Sequence, residues 1–470
     1  MKQTLFPVKI IVENGAENAA ALLRKKPDQI GLAEFDLAGF SCGSSVTLDF
    51  GKEMNGGIRI LTFSAENTPV RIRFGESLSE CGANIGEKNA TNDHANRDFS
   101  VTLQNYSDMR FGNTGFRFVR LDFSKNAQIK SVLAENEILS RPAKYVYAGG
   151  DAEISRIFQT AKRTVDLCAA GKYVWDGVKR DRLVWIGDMH PEMLALVTLY
   201  GRMKKIEDSL DFVKKQSPVP SFMNGFPTYS LWWIIIVADY ARLTGAYDFA
   251  ARQIPYLTAL VSLFGELVND DGTLRFPHYF VDWPTSGTED EKTGSRFIAI
   301  AAAKRAAELL SHFKKSTDGA EILLKKLQKG DLSVKAKKQV VALKYFALGE
   351  ISDREYALLT AGGAAGMSTF MSYYVLRAVA AKDAALALRL MKEYYGGMLS
   401  LGATTFWEDF DISWKNSCPV DRLPRPKERD VHGDHGAYCY KGFRHSLCHG
   451  WSAGVIRFIA ENCNDLPDRK

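Results

Sequence analysis

The stretch Trp175-Asp-Gly-Val-Lys-Arg-Asp-Arg-Leu-Val-Trp-Ile-Gly-Asp-Met-His190 carries three carboxylates, Asp176, Asp181 and Asp188, with Arg180 and Arg182 interspersed. Carboxyl groups brought together in one place can split the labour of proton transfer, one giving a proton while another takes one. Gly177 and Gly187 would break a helix, so the spacing predicts a loop leading into a helix from about His190. The same pattern suits a simple charge cluster at a helix N-terminus, where acids are stabilised by the dipole. Spacing alone leaves both readings open.

Tryptophan placement narrows the choice. All eight (Trp175, Trp185, Trp232, Trp233, Trp283, Trp407, Trp414 and Trp451) lie beyond residue 170, and several sit beside acids: Trp175-Asp176, Asp282-Trp283 and Trp407-Glu408-Asp409. A flat ring beside a carboxyl suits a carbohydrate site, covering the sugar's C–H face while the acid binds hydroxyls or moves protons. Trp232 and Trp233, inside an apolar run, read instead as core. Glu192 and Glu289-Asp290-Glu291 are further carboxylates, read as helix-start or loop charges. His432-Gly-Asp-His435 falls short of a zinc signature. Gly362 to Gly366 follows no strand and is not a phosphate loop.

These residues need elements to hold them. In the first 140 or so residues, segments 45–50, 57–63, 70–74, 99–103 and 116–123 are strand-like, most alternating polar and apolar side chains, with Gly, Asn and Asp between them, and predict a β-sandwich. After Pro142 the period becomes helical. Asp151 is a plausible N-cap for an opening helix, and further helices are expected over 190–205, 206–216, 229–244, 247–268, 294–312, 317–328, 333–347, 353–362, 368–381, 383–395 and 447–462. About a dozen helices suit an (α/α)6 toroid, although periodicity alone also allows a plain bundle. Two domains are therefore expected, 1–142 and 143–470.

Composition excludes several classes. With 46 % apolar and 25 % charged residues over 470 positions, the chain reads as globular, and its net charge of +6 is dispersed, giving no nucleic-acid footprint. No apolar run approaches the roughly 18 residues that span a bilayer. Met1 to Glu13 has no cleavage-site pattern, so a cytoplasmic location is expected, or a periplasmic or secreted one if a leader has been removed. Seven scattered cysteines form no disulfide framework.

The 175–190 stretch resembles the signature of the α-L-rhamnosidases of glycoside hydrolase family 78, Asp-Cys-Pro-x-Arg-Glu-Arg-Leu-Gly-Trp-x-Gly-Asp. Asp176, Arg180, Arg182, Leu183, Trp185, Gly187 and Asp188 match it without a gap. Gly402-Ala-Thr-Thr-Phe-Trp-Glu-Asp-Phe410 and Ser446-Leu-Cys-His-Gly-Trp-Ser-Ala-Gly454 are similar to two later segments, with Pro227-Thr-Tyr-Ser-Leu-Trp-Trp233 and Asp282-Trp283 in order between them. Leu48 to Gly57, Arg73 to Leu78 and Gly115 to Arg120 resemble the β-sandwich before the family's catalytic domain.

That resemblance implies a general acid at Asp181 and a general base at Glu408, acting by inversion on a terminal α-L-rhamnosyl or related deoxysugar linkage. It implies sugar contacts from Asp176, Arg180, Trp185, Asp188, Trp283, Trp407 and His449. Water is the only co-reactant; neither cofactor nor metal is implied, the partner is a carbohydrate, and oligomeric state is left open. The family has glutamate where this chain has Asp181, one methylene shorter, and Cys-Pro where it has Gly177-Val178. Two other readings stay open: a six-hairpin glycosidase of different specificity, such as one for uronic acid sugars, and a non-catalytic carbohydrate-binding relative.

Overall fold

A computed structural model describes residues 1–436 and 441–463. Cys439 and residues 464–470 lie outside them. Seven strands, β1 (Lys2–Leu5), β2 (Lys9–Glu17), β3 (Ala38–Thr62), β4 (Thr68–Gly75), β5 (Asp98–Leu103), β6 (Asp108–Phe123) and β7 (Ala127–Glu137), form one hydrogen-bonded network in the order β1-β7-β3-β6-β4-β5, with β2 also on β3.

The expected strands at 45–50 and 57–63 are one. β3 runs through 25 residues, and its pairing with β6 shifts register between Asp49 and Met54 and again between Gly56 and Ile58. Gly51-Lys-Glu looks like a turn in sequence, but the chain absorbs it as bulges. Gly56 shows why: at φ +150°, a Cβ would stand 2.1 Å from the Glu135 carbonyl oxygen. Inward side chains such as Val46, Leu48, Ile60, Ile72 and Phe116 make this region's own core.

The rest is helical. Met189–Tyr200, Pro227–Thr244, Asp290–His312, Lys338–Leu348, Ser372–Ala380 and Val455–Asn462 each pack on the next in that order, and the last packs back on the first. Further helices, including Ala152–Cys168, Asp318–Leu327 and Ala384–Ser400, lie against this cycle. The division follows from composition. Pro227 to Ala241 is buried all round, as a helix with neighbours on every side requires. Asp318–Leu327 buries only Ala320, Leu323 and Leu327, one stripe. Trp232 and Trp233 are both core, 1 % and 0 % exposed.

Two expected helices are divided. The segment 247–268 is Tyr247–Ala251 and Ile254–Glu266, restarted with Pro255 in its first turn, where proline needs no N–H partner. The segment 447–462 is a 3-10 turn over Gly450–Gly454 followed by Val455–Asn462. Among the described residues no helix is long and apolar enough to cross a membrane.

Candidate active site

Loops entering the cycle's helices converge at one end of it. Asp188 precedes Met189–Tyr200, Phe226 precedes Pro227–Thr244, and His449 precedes the Gly450–Gly454 turn. Backbone hydrogen bonds stitch these loops together: Gly450 N–H donates to the Asp176 carbonyl at 2.7 Å, His449 to Phe406 at 3.0 Å, and Glu408 to Ser446 at 3.0 Å. Gly187 is required where the first loop meets the second helix, because a Cβ there would lie 2.2 Å from the Tyr229 ring.

The result is a cleft of about 240 Å³. Asp176, Asp181, Trp185, Asp188, Trp283, Glu408 and His449 line it, together with Phe226, Tyr229, Phe280 and Trp451. Its floor is acidic and its walls are aromatic.

Arg180 organises the floor from behind. Its Nη2 donates to both Glu408 oxygens at 2.8 and 2.7 Å, its Nη1 to Asp181 Oδ2 at 2.7 Å, and its Nε to the Arg444 carbonyl at 2.8 Å. Glu408 also accepts from the Ser446 N–H at 2.9 Å. One guanidinium thus fixes two carboxylates contributed by distant parts of the chain. Arg182 turns the other way, donating to Asn113 and to Asn55 and covering the Trp175 ring at 4.6 Å. Asp181 and Arg182 both have left-handed backbones, φ 55° and 53°, which sends the two arginines apart.

Electrostatics divides the acids. Burial pushes Asp176 well above the usual carboxylate range, and the charges of Asp188 and Asp181 push it further. Asp188 is raised well above that range too, by burial and by Glu408 and Asp181, against the pull of the Tyr229 hydroxyl at 3.3 Å. Both shifts favour the protonated form, in which a carboxyl donates as well as accepts. His449 Nε2 lies 3.9 Å from Asp176, Asp188 and Glu408 alike, and burial together with Arg180 lowers its imidazolium to about 3, so the ring is neutral. Such a floor offers both donors and acceptors to sugar hydroxyls.

Not every expected residue reaches the cleft. Trp407 is 1 % exposed and packs edge-on against Phe410 in the core; its neighbour Glu408 faces the cleft, so the ring must turn inward. Arg180 acts behind the surface and does not line it. Glu192 lies buried beneath the floor, raised well above the ordinary range by burial, Asp188 and Asp176, and its Oε1 has no hydrogen-bond partner. Asp290 is structural: its carboxylate accepts from the backbone N–H groups of Lys335, Ala336 and Lys337.

Other participants carried weak signals or none. Tyr229 and Trp451 stand within segments already singled out, beside Trp232 and His449. His94 had no signal at all. It comes from the loop between β4 and β5, and its Nδ1 lies 2.5 Å from Asp181 Oδ1. Asp282 lines a narrow continuation of the cleft with Ser368 and Asp409; burial raises it to about 6 despite the Ser368 hydroxyl at 2.6 Å.

Glu76, Glu80 and His432 are the grouping among the described residues close enough to share a metal ion. Lys179 Nζ already stands there, 2.7 Å from Glu80 and 3.5 Å from Glu76, and supplies the cation. His435 stacks on Trp414 instead and does not join His432.

Comparison with solved structures gives this fold a precedent. A rhamnosidase from Klebsiella oxytoca with rhamnose bound superposes with a TM-score of 0.76 at 18 % identity, over 99 % of this chain and 96 % of that one. The chain has the α-L-rhamnosidase fold. The family 78 rhamnosidase of Bacillus sp. GL1 (TM-score 0.71, 18 % identity) and the Streptomyces avermitilis α-L-rhamnosidase complexed with L-rhamnose (0.65, 16 %) share it. This chain covers 94 % and 97 % of itself in those two matches but only 48 % and 43 % of theirs, so the rhamnosidase fold here spans about half the length of those relatives. No protein-family model and no curated protein matches the sequence.

Proposed function

We propose that this protein is a glycoside hydrolase that removes terminal α-L-rhamnose, or a closely related deoxysugar, with inversion. The observation that carries the reading is the pairing of Asp181 and Glu408 through Arg180 at the edge of a cleft walled by Trp185, Trp283 and Trp451. Inversion requires two carboxyls about 6.5–9.5 Å apart with water between them, and Asp181 and Glu408 are the two carboxyls that Arg180 holds together at this cleft. In this reading Glu408, with a cation beside it, takes the proton of the attacking water, and Asp181 gives one to the departing oxygen. Asp176 and Asp188 hold the sugar's hydroxyls, and His449 and the tryptophans position its ring.

The cyclic packing of six helices, each backed by others, supports the (α/α)6 toroid as the architecture, with the bent strand network as the preceding β-sandwich and the domain division near residue 142. The reading for uronic acid sugars is less favoured: among the described residues that line the cleft there is no Lys or Arg to face a sugar carboxylate.

The test is turnover of an aryl α-L-rhamnopyranoside by the wild type, Asp181→Asn and Glu408→Gln, with the product anomer followed by NMR. Activity lost in Glu408→Gln and β-rhamnose as first product support the proposal. Sugar binding with no turnover would make the protein a carbohydrate-binding relative instead.

A further inference from the structure

Asp181 is short for a proton donor, and its surroundings are unusual. Arg180 holds one carboxyl oxygen at 2.7 Å, while the other lies 2.5 Å from His94 Nδ1. The same Nδ1 accepts from the Asp181 backbone N–H at 3.2 Å. The ring therefore meets both the backbone and the carboxyl of Asp181 through one nitrogen. Both residues are held in the left-handed region, His94 at φ 63° and Asp181 at φ 55°, a conformation non-glycine residues rarely adopt. The His94 loop is anchored independently: Asp93 pairs with Arg444 at 2.5 Å, next to the residues that support Glu408. The charged groups around His94 are thus Asp181 with Arg180 behind it, and Asp93 with Arg444.

Exposure completes the picture. The Asp181 side chain is 7 % exposed, whereas the His94 ring is 41 % exposed. The carboxyl faces the cleft and little else, and the imidazole bracing it stands at the surface.

We infer that His94 is the positioning residue that aims Asp181, gripping its backbone N–H and its carboxyl with one ring edge. The inference rests on the hydrolase reading above. Asp181 gives its proton to the glycosidic oxygen as the C1–O bond breaks, the departing alcohol keeping the bonding pair. The water oxygen forms the new bond at C1 and its proton passes to Glu408. Water entering the emptied cleft then returns a proton to Asp181, while Glu408 releases its own, so the cycle consumes one water and no other reactant. The imidazole meets the carboxyl at Oδ1 while Arg180 holds Oδ2, so the short side chain is fixed at both oxygens.

The experiment compares His94→Gln and His94→Ala with wild type on 4-nitrophenyl α-L-rhamnoside, whose leaving group needs little protonation, and on methyl α-L-rhamnoside, whose leaving group needs much. The expected result is a kcat for the methyl glycoside lowered about 30-fold or more, with the aryl glycoside changed less than about threefold and KM held for both. Added imidazole should restore part of the loss in His94→Ala. Equal losses on both substrates, or none on either, would overturn the inference while leaving the hydrolase reading intact. A wild type inactive on both glycosides removes that reading and this inference with it. Independently of turnover, 15N NMR of the His94 ring should move when Asp181→Asn is introduced; an unmoved resonance also overturns the inference.

Discussion

Both carboxylate oxygens of Glu408 accept from the same nitrogen of Arg180, at 2.8 and 2.7 Å, and the neighbouring nitrogen of that guanidinium binds Asp181. The pair is buried, with side chains 4 % and 5 % exposed. Lysine cannot reproduce this, since a single ammonium lacks the planar set of donors. Arg180→Lys is expected to lower kcat about a hundredfold or more. Arg180→Ala, leaving Glu408 buried without its cation, should also cost about 3–5 kcal/mol of stability. Steady-state kinetics beside urea denaturation separates the two effects.

Glu192 gives a pH-dependent prediction. Burial raises its proton affinity in the folded state above that in the unfolded chain. The stability this provides is complete below the unfolded carboxylate range and is lost as pH rises toward the folded pKa, because the unfolded chain alone then ionises. Glu192→Gln does not titrate. Its stability relative to wild type should therefore climb between pH 5 and pH 8, by no more than about 1.4 kcal/mol per pH unit. Urea unfolding at several pH values checks this; a flat difference would contradict it.

Two tryptophans flanking acids in sequence should behave oppositely. Trp407 is core, and Trp407→Ala should lower unfolding free energy by about 3–5 kcal/mol. Trp283 is partly exposed at the cleft, and Trp283→Ala should raise KM about tenfold with a smaller loss of stability. Chemical denaturation and KM measured on both variants make the comparison.

Lys179 compensates two buried glutamates and also donates to the His445 carbonyl at 2.9 Å. Lys179→Met leaves Glu76 and Glu80 without it. A loss of about 3–5 kcal/mol is expected in thermal or urea unfolding, even though the residue lies outside the cleft.

How much of this could be read from the chain depended on how local the cause was. The helices of the second half follow from apolar periodicity, which each segment carries by itself, and errors fell where a single Pro255 or Gly450 divides one. β3 was read as two strands because a bulge and a turn use the same residues, and only pairing with β6 tells them apart. In the cleft, Asp176, Asp181, Asp188, Glu408 and His449 were found through motifs that keep their spacing. The orientation of Trp407 was not, because which neighbour faces inward is set by packing against Phe410. His94 meets Asp181 across 87 residues of sequence, with nothing around it to mark it. The opposite aims of Arg180 and Arg182 depend on two left-handed residues that no propensity would place there.

The cycle of helices has a consequence for synthesis. Val455–Asn462 packs on Met189–Tyr200, so the seam joins the latest helix to leave the ribosome with the earliest of the set. Until then, apolar flanks of Met189–Tyr200 and Ser372–Ala380 have no cover, and a nascent chain carries an open, adhesive edge. His449 and Trp451 emerge in the same stretch. A chain interrupted before them has neither a closed cycle of helices nor a finished cleft.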